Sequence, residues 1–420
     1  MTGSWSRRRS EEHGCQRQSR CRCVEWRNPF APGVKKRGAR ETRSTVSPDG
    51  AGLRVAAIMD TSILSGPGRQ LTEVARALKE TGVDLTVLTF QRQGRPASPF
   101  PDHLARAGVA CEVLPESGAT DISVLSRLRD AIDRLDPHIV QTHSYKPAAL
   151  VAALQLMGRR RPWIAFFHGV THEDRKVRVY NWLDRRLVAR ADRVVVMSRE
   201  QLAGFSHLGS RVRLVHNAVL TAAIRDGLTE RLALPESPRP VLGVIGRLSA
   251  EKGIDVLLRS LRVLHDRGSR ASLLIAGDGP ERAALTALRN DLGLTAFVHF
   301  LGAVHPIAAL YPHLDVVVLS SRTEGLPNVL LEALAADRAV VATRVGAIPE
   351  VLAEPGAGEL VAPESVNELA DGIARALSRV DDERSREARR RAVDAFSLER
   401  RAEAHVMIYR ELVTSGPRAA

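Results

Sequence analysis

Two short segments carry residues whose types and spacing suit chemistry on a phosphate and on hydroxyl groups. Gly246-Arg247-Leu248-Ser249-Ala250-Glu251-Lys252-Gly253 sets two cations five residues apart, directly after an apolar run and at the start of an amphipathic one. At a strand-to-helix junction, backbone N–H groups and the helix dipole favour an anion that Arg and Lys then neutralise. By composition alone the segment could equally be a loop with two solvated cations, since it is neither GxGxxG nor GxxxxGK[ST].

The second segment runs Ser320-Ser321-Arg322-Thr323-Glu324-Gly325-Leu326-Pro327-Asn328-Val329-Leu330-Leu331-Glu332. Gly325 and Pro327 force a turn after the strand Val316–Leu319, and a helix follows from about Asn328 to Ala336. Glu324 then sits in the loop above the helix start and Glu332 one turn inside it. Two carboxylates on the carboxyl edge of a sheet can hold the hydroxyls of a sugar and a ribose. The free N–H groups of the helix start can meet a phosphate. The plainer alternative makes Glu324 a helix cap and Glu332 a structural carboxylate.

Both segments need a scaffold, and the surrounding pattern supplies one. Short apolar strands alternate with helices from Leu53 onward: Leu53–Met59, Asp84–Phe90, Ala110–Leu114, His138–Thr142, Trp163–Phe167 and Arg193–Met197. The first helix is expected from about Gln70 to Thr81, after a loop Ser65-Gly66-Pro67-Gly68. A Pro-rich break at Leu234–Pro240 precedes a second series: Val241–Gly246, Ser272–Gly277, Val298–Leu301, Val316–Leu319 and Ala339–Thr343. Repeated strand–helix alternation implies parallel sheets covered on both faces. The expected class is α/β, with two Rossmann-like domains over residues 51–234 and 235–395 that face a central cleft. Residues 396–420 read as a closing helix, from the Ser397 cap and the helical spacing of Val406, Tyr409 and Leu412.

Composition narrows the partners. The chain has 420 residues, 44% hydrophobic and 26% charged, with a formal net charge of +13. Residues 1–50 account for +7 of it and show no periodicity, so they read as a disordered basic tail. The remainder is mildly basic and poor in aromatics, which argues against a nucleic-acid partner. Cys15, Cys21, Cys23 and Cys111 fit neither a zinc site nor a disulfide framework, which favours a reducing, cytoplasmic setting. No apolar run is long enough to span a bilayer. The segment His172–Arg193, with seven Lys/Arg, could touch anionic lipid at the inner membrane face; a solvated basic helix is the simpler expectation.

Taken together, Gly246–Gly253, Ala276-Gly277-Asp278-Gly279-Pro280-Glu281, Glu324–Glu332 (an E-x7-E spacing) and Gly346-Ala347-Ile348-Pro349-Glu350 resemble the retaining glycosyltransferases of family four, in order and spacing. The resemblance implies a GT-B fold with a nucleotide-sugar donor held mainly by the second domain, the first domain on the acceptor side, and the 396–420 helix crossing back to the first domain. By motif, Arg247 and Lys252 bind the diphosphate, Glu332 the ribose hydroxyls and Glu324 the transferred sugar. The backbone of Gly325, Leu326, Pro327 and Asn328 lines sugar and phosphate. Gly66 and Gly68 take the place of the family's glycine-rich loop near the donor phosphates. His168, in Phe166-Phe167-His168-Gly169, matches the strand-end histidine that contacts the donor sugar, and His143 is a candidate on the acceptor side.

The implied reaction is transfer with retention, to a glycan, lipid-linked or small-molecule acceptor. No cofactor is expected, and no aspartate cluster suggests a metal, so the cations and helix N-termini must stabilise the leaving diphosphate. Two other readings remain open: a nucleotide-sugar epimerase or phosphorylase of similar fold, and a non-catalytic nucleotide- or nucleic-acid-binding protein. A nicotinamide oxidoreductase would need a GxGxxG after its first strand, which the sequence lacks.

Overall fold

The computed structural model describes residues 52–118, 121–168, 183, 185–219 and 221–415. The basic tail 1–50 and most of His172–Arg193 lie outside the described residues. The first domain is a parallel sheet of β1 (Leu53–Met59), β2 (Val83–Arg92), β3 (Cys111–Glu116), β4 (Ile139–His143), β5 (Trp163–Phe167), β6 (Arg193–Val196) and β7 (Val212–Leu214). Their order is β3-β2-β1-β4-β5-β6-β7. The second contains β8 (Val241–Ile245), β9 (Ser272–Ala276), β10 (Val298–Gly302), β11 (Val316–Leu319), β12 (Ala339–Thr343) and β13 (Glu359–Val361), ordered β10-β9-β8-β11-β12-β13.

Every residue of β4, β5, β9, β11 and β12 is buried; β5 and β11 are apolar throughout, whereas β4 buries the polar Gln141, Thr142 and His143 at its carboxyl end. In each sheet the strand order reverses at the first strand, between β1 and β4 and between β8 and β11. Crevices at the carboxyl ends of strands on either side of such a reversal are where open α/β sheets bind ligands. One apolar cluster joins the inner faces of both sheets, reaching from Leu71 through Phe166 to Leu330 and Tyr409. Separate clusters fill the outer face of each sheet.

Two expectations are corrected. β7 and β13 extend the sheets beyond the expected strand sets; each is a three-residue edge strand, too short for an alternation to show. The first helix spans Gly66–Glu80, so Gly66, Pro67 and Gly68 form its opening turn instead of a loop. Ser65 caps that turn by accepting from the Gly68 N–H at 3.2 Å, and Pro is well suited to a helix start. The closing helix spans Leu398–Ser415 and packs on the first helix and β4.

Candidate active site

The Arg247–Gly253 segment follows β8 and leads into the helix Ile254–Asp266. Gly253 is left-handed, with φ of 60°, and a Cβ there would stand 2.2 Å from the Ser320 carbonyl oxygen. Glycine therefore lets the Lys252 turn press against the end of β11, where Ser320 Oγ also donates to the Lys252 carbonyl at 2.9 Å. Arg322 closes the contact as a fork on Asp255, with its two arms at 2.9 and 3.0 Å. Leu248 N–H donates to the Asp278 carbonyl and Glu281 N–H to the Leu248 carbonyl, which brings the Ala276–Glu281 block onto the same loop.

These contacts bring Lys252 to Glu324. Lys252 Nζ donates to Glu324 Oε1 at 2.7 Å, and Ser321 Oγ donates to the same oxygen at 2.6 Å. The pair is largely sheltered, with 26% and 11% of the two side chains exposed. Arg247, Lys252, Glu324 and Pro327 line one cavity of about 20 Å³, at the β8/β11 reversal. Pro327 precedes the helix Asn328–Ala335 with no side-chain cap, so backbone N–H groups open that helix beside the cavity. Gly346 has φ of 56°, and a Cβ there would lie 2.3 Å from the Glu324 carbonyl oxygen. The Ala347 N–H donates to the Gly325 carbonyl at 2.8 Å, which fixes the turn carrying Glu324.

Not every expected residue lines that cavity. Glu332 does not line it and accepts from the hydroxyl of buried Tyr311 at 2.8 Å. Burial pushes its carboxyl above the usual range, against the pull of that hydrogen bond and of Arg69. Gly325 abuts the first domain, where a Cβ would be 3.0 Å from the His168 carbonyl oxygen. Leu326 is buried, and its carbonyl accepts from Asn217. The Asn328 Oδ1 accepts from Gln70 at 3.3 Å and Asn217 at 3.2 Å, and Gly66 lies against its amide. Gly68 is buried beside Phe100, and its N–H is committed to Ser65, so its amide is not turned to the cleft.

His168 belongs to a chain of hydrogen bonds that starts on the closing helix. Tyr409 donates its hydroxyl to Gln141 Oε1 at 2.7 Å. Gln141 Nε2 then faces His143 Nε2 at 3.0 Å, and His143 Nδ1 faces His168 Nε2 at 2.9 Å. An amide nitrogen only donates, so His143 accepts at Nε2 and carries its proton on Nδ1, which donates to His168 Nε2. His168 keeps its own proton on Nδ1. Burial lowers His143 well below the usual histidine value and His168 to about 3, so both rings are neutral. His143 is thus a buried partner of His168.

The same helix supplies Arg401, which is buried and donates to Gln70 Oε1 and Asn217 Oδ1, each at 2.8 Å. Burial lowers this guanidinium to about 10. Arg401, Tyr409 and Gln141 were not singled out by the sequence. For Gln141 a signal existed, because residues two apart in a strand share a face with His143. Among the described residues, no group of three or more His, Cys, Asp or Glu is placed to hold a metal, and no helix is long and apolar enough to cross a membrane.

Residues 239–379 match the family described as Glycosyl transferases group 1, and residues 65–218 match the Glycosyl transferase 4-like domain. The chain belongs to the group 1 glycosyltransferases. The fold of this glycosyltransferase is GT-B: HepE of Anabaena in complex with UDP and glucose superposes with a TM-score of 0.70 and 19% identity, over 86% of this chain and 100% of that one. The 2-deoxystreptamine glucosyltransferase of Streptomyces kanamyceticus is 34% identical over 154 residues, 36% of this chain and 40% of that protein. The alpha-D-kanosaminyltransferase of the same organism is 31% identical over 254 residues, 56% of this chain and 64% of that protein. The chain therefore aligns to less than two thirds of the length of either of these two relatives.

Proposed function

We propose that this glycosyltransferase moves a sugar from a nucleoside diphosphate sugar to an acceptor hydroxyl, with retention and without a metal. The observation that carries the reading is the Lys252–Glu324 pair, set with Arg247 against the opening turn of the Asn328 helix. Arg247 and Lys252 take the diphosphate and the Glu324 carboxylate takes hydroxyls of the transferred sugar. The backbone from Gly325 to Asn328 lines both, and Gly66 borders them from the first domain. Glu332 accepts from the ribose hydroxyls, a role that asks its side chain to turn from Tyr311. His168, with its proton on Nδ1, offers a neutral donor to the sugar.

The bond from the anomeric carbon to the diphosphate oxygen breaks as the acceptor oxygen bonds to the same face of that carbon. The departing diphosphate oxygen takes the acceptor proton. The protein's contribution is charge stabilisation of that leaving group, with acceptor positioning second. The complex of HepE with UDP and glucose, and the transferases among the relatives, support a donor of this class.

The test is a thermal-stability screen of UDP- and GDP-sugars, followed by transfer assays with the stabilising donor in the presence of a chelator. A bound donor raises stability by linkage. No stabilisation by any nucleotide sugar, or conversion of the donor alone into its epimer, would sink the reading.

A further inference from the structure

A cavity of about 660 Å³ opens in the first domain, away from the Lys252–Glu324 pair. It lies at the carboxyl ends of β1 and β4, the strands between which the order reverses, and is completed by the ends of β2 and β3. Ser144 borders it with φ of 83°, a left-handed conformation that a serine adopts at a cost and that recurs at ligand sites. It follows His143 directly, and His143 touches His168, so the cavity adjoins the first-domain side of the proposed donor site.

The charges lining this cavity do not balance. Three cations, Arg92, Arg95 and Lys146, face two carboxylates, Asp60 and Glu116. Lys146 is fully engaged, with Asp60 at 3.0 Å, Glu116 at 2.8 Å and the Phe90 ring at 4.4 Å. Buried Glu116 is satisfied by that bond, and Arg92 reaches it only at 3.4 Å. Arg92 Nε is buried and has no hydrogen-bond partner among the described residues. A guanidinium left partly unsatisfied is expensive unless an acceptor arrives. Arg95 is exposed and forms no ion pair among the described residues. Gln91 holds the loop that carries it, donating to the Arg95 and Pro96 carbonyls and accepting from the Ser98 N–H. The surplus positive charge thus sits on two arginines over an open cavity, beside the hydroxyls of Thr61 and Ser62.

We propose that this cavity is the acceptor site and that the acceptor is a small polyol bearing one anionic group, a phosphate or a carboxylate. Arg92 and Arg95 take the anion in charge-assisted hydrogen bonds, and Asp60 with the neighbouring hydroxyls takes the polyol. The name "acceptor" rests on the proposed sugar transfer; the anion site itself does not.

The experiment is calorimetric titration of the full chain, with its donor site saturated by the best-stabilising nucleoside diphosphate. The probes are glucose 6-phosphate, gluconate, glucose and glucosamine. At least one anionic probe should bind about tenfold or more tightly than glucose, as one or two charge-assisted bonds imply. The phosphate and carboxylate arms show which anion the site takes. Arg95→Ala, at an exposed position, and Arg92→Gln should each reduce that preference while nucleoside diphosphate binding is kept. Absence of binding by either anion, equal or tighter binding of glucose or glucosamine, or an unchanged preference in folded Arg95→Ala would overturn the proposal. If anions bind as expected while no donor sugar is transferred, the site stands and the transfer reading falls.

Discussion

Lys252 and Glu324 are bonded to each other across 2.7 Å, although motif matching assigns one to the diphosphate and the other to the sugar. Only about 20 Å³ lies between the surrounding loops. Under the proposed reading the pair holds cation and carboxylate in place beforehand, and donor binding exchanges each partner for a group of the donor.

Lys252→Ala should therefore weaken nucleoside diphosphate binding and lower turnover by about 10²-fold, the usual effect of losing one preorganised electrostatic contact. Glu324 keeps Ser321 as a partner, so the fold should hold. Calorimetry and steady-state transfer assays decide it: unchanged affinity and turnover would remove the phosphate role.

Glu324→Gln and Glu332→Gln should separate. The first should cut transfer strongly and leave free diphosphate binding nearly intact, because the diphosphate lacks the sugar. The second should weaken both donor and diphosphate binding more than about tenfold. Its thermal stability should not fall, because Gln still accepts from Tyr311 and burial already disfavours the Glu332 charge. Equal effects of both substitutions on diphosphate binding would contradict the division of roles.

Stability should fall as pH drops below 6.5. His143, His168 and His405 are held below the usual histidine value of 6.5 by burial, so the unfolded chain takes up protons there that the folded chain refuses. This penalty is absent above 6.5 and grows as pH falls toward 3. Three such groups give a slope of up to about 4 kcal/mol per pH unit between pH 6 and 5, at roughly 1.4 for each proton. His405→Leu should flatten the slope by about one proton while Tyr409 still donates to Gln141. Denaturant unfolding at several pH values measures it, and an unchanged slope would show that His405 protonates in the fold.

Gly346→Ala should cost about 3 kcal/mol, combining a left-handed backbone with a methyl group 2.3 Å from the Glu324 carbonyl. The turn carrying Glu324 should shift, so transfer should fall further than the stability loss explains. Thermal unfolding and turnover measured side by side test this.

What the sequence disclosed follows from where the information sits. β5 and β11 are buried on both sides, so their residue types had to be apolar without a break, while β4 turns polar at Gln141–His143, where it meets the site. β7 and β13 are edge strands of three residues and leave no pattern. The E-x7-E spacing marked Glu324 and Glu332 as local features of one helix start. That Lys252 meets Glu324 depends on Gly253 nesting on Ser320 and on the Arg322 fork to Asp255, a packing no local spacing records. Gly68 misled in the opposite direction: next to Pro67 it suggests a loop, yet the Ser65 hydroxyl turns both into a helix start. Tyr409 and Gln141 lie 268 residues apart and meet only because the closing helix docks on β4.

That docking imposes an order on synthesis. The helix Leu398–Ser415 leaves the ribosome after every other described element, and it carries the hydroxyl that sets the proton positions of His143 and His168. A nascent chain can thus have both sheets folded while its histidine pair still lacks a defined tautomer. Emergence of residues 398–415 is then the event that sets those tautomers, and a chain stopped before residue 398 lacks both the Tyr409 hydroxyl and the apolar face that Val406, Ile408 and Leu412 add to the shared core.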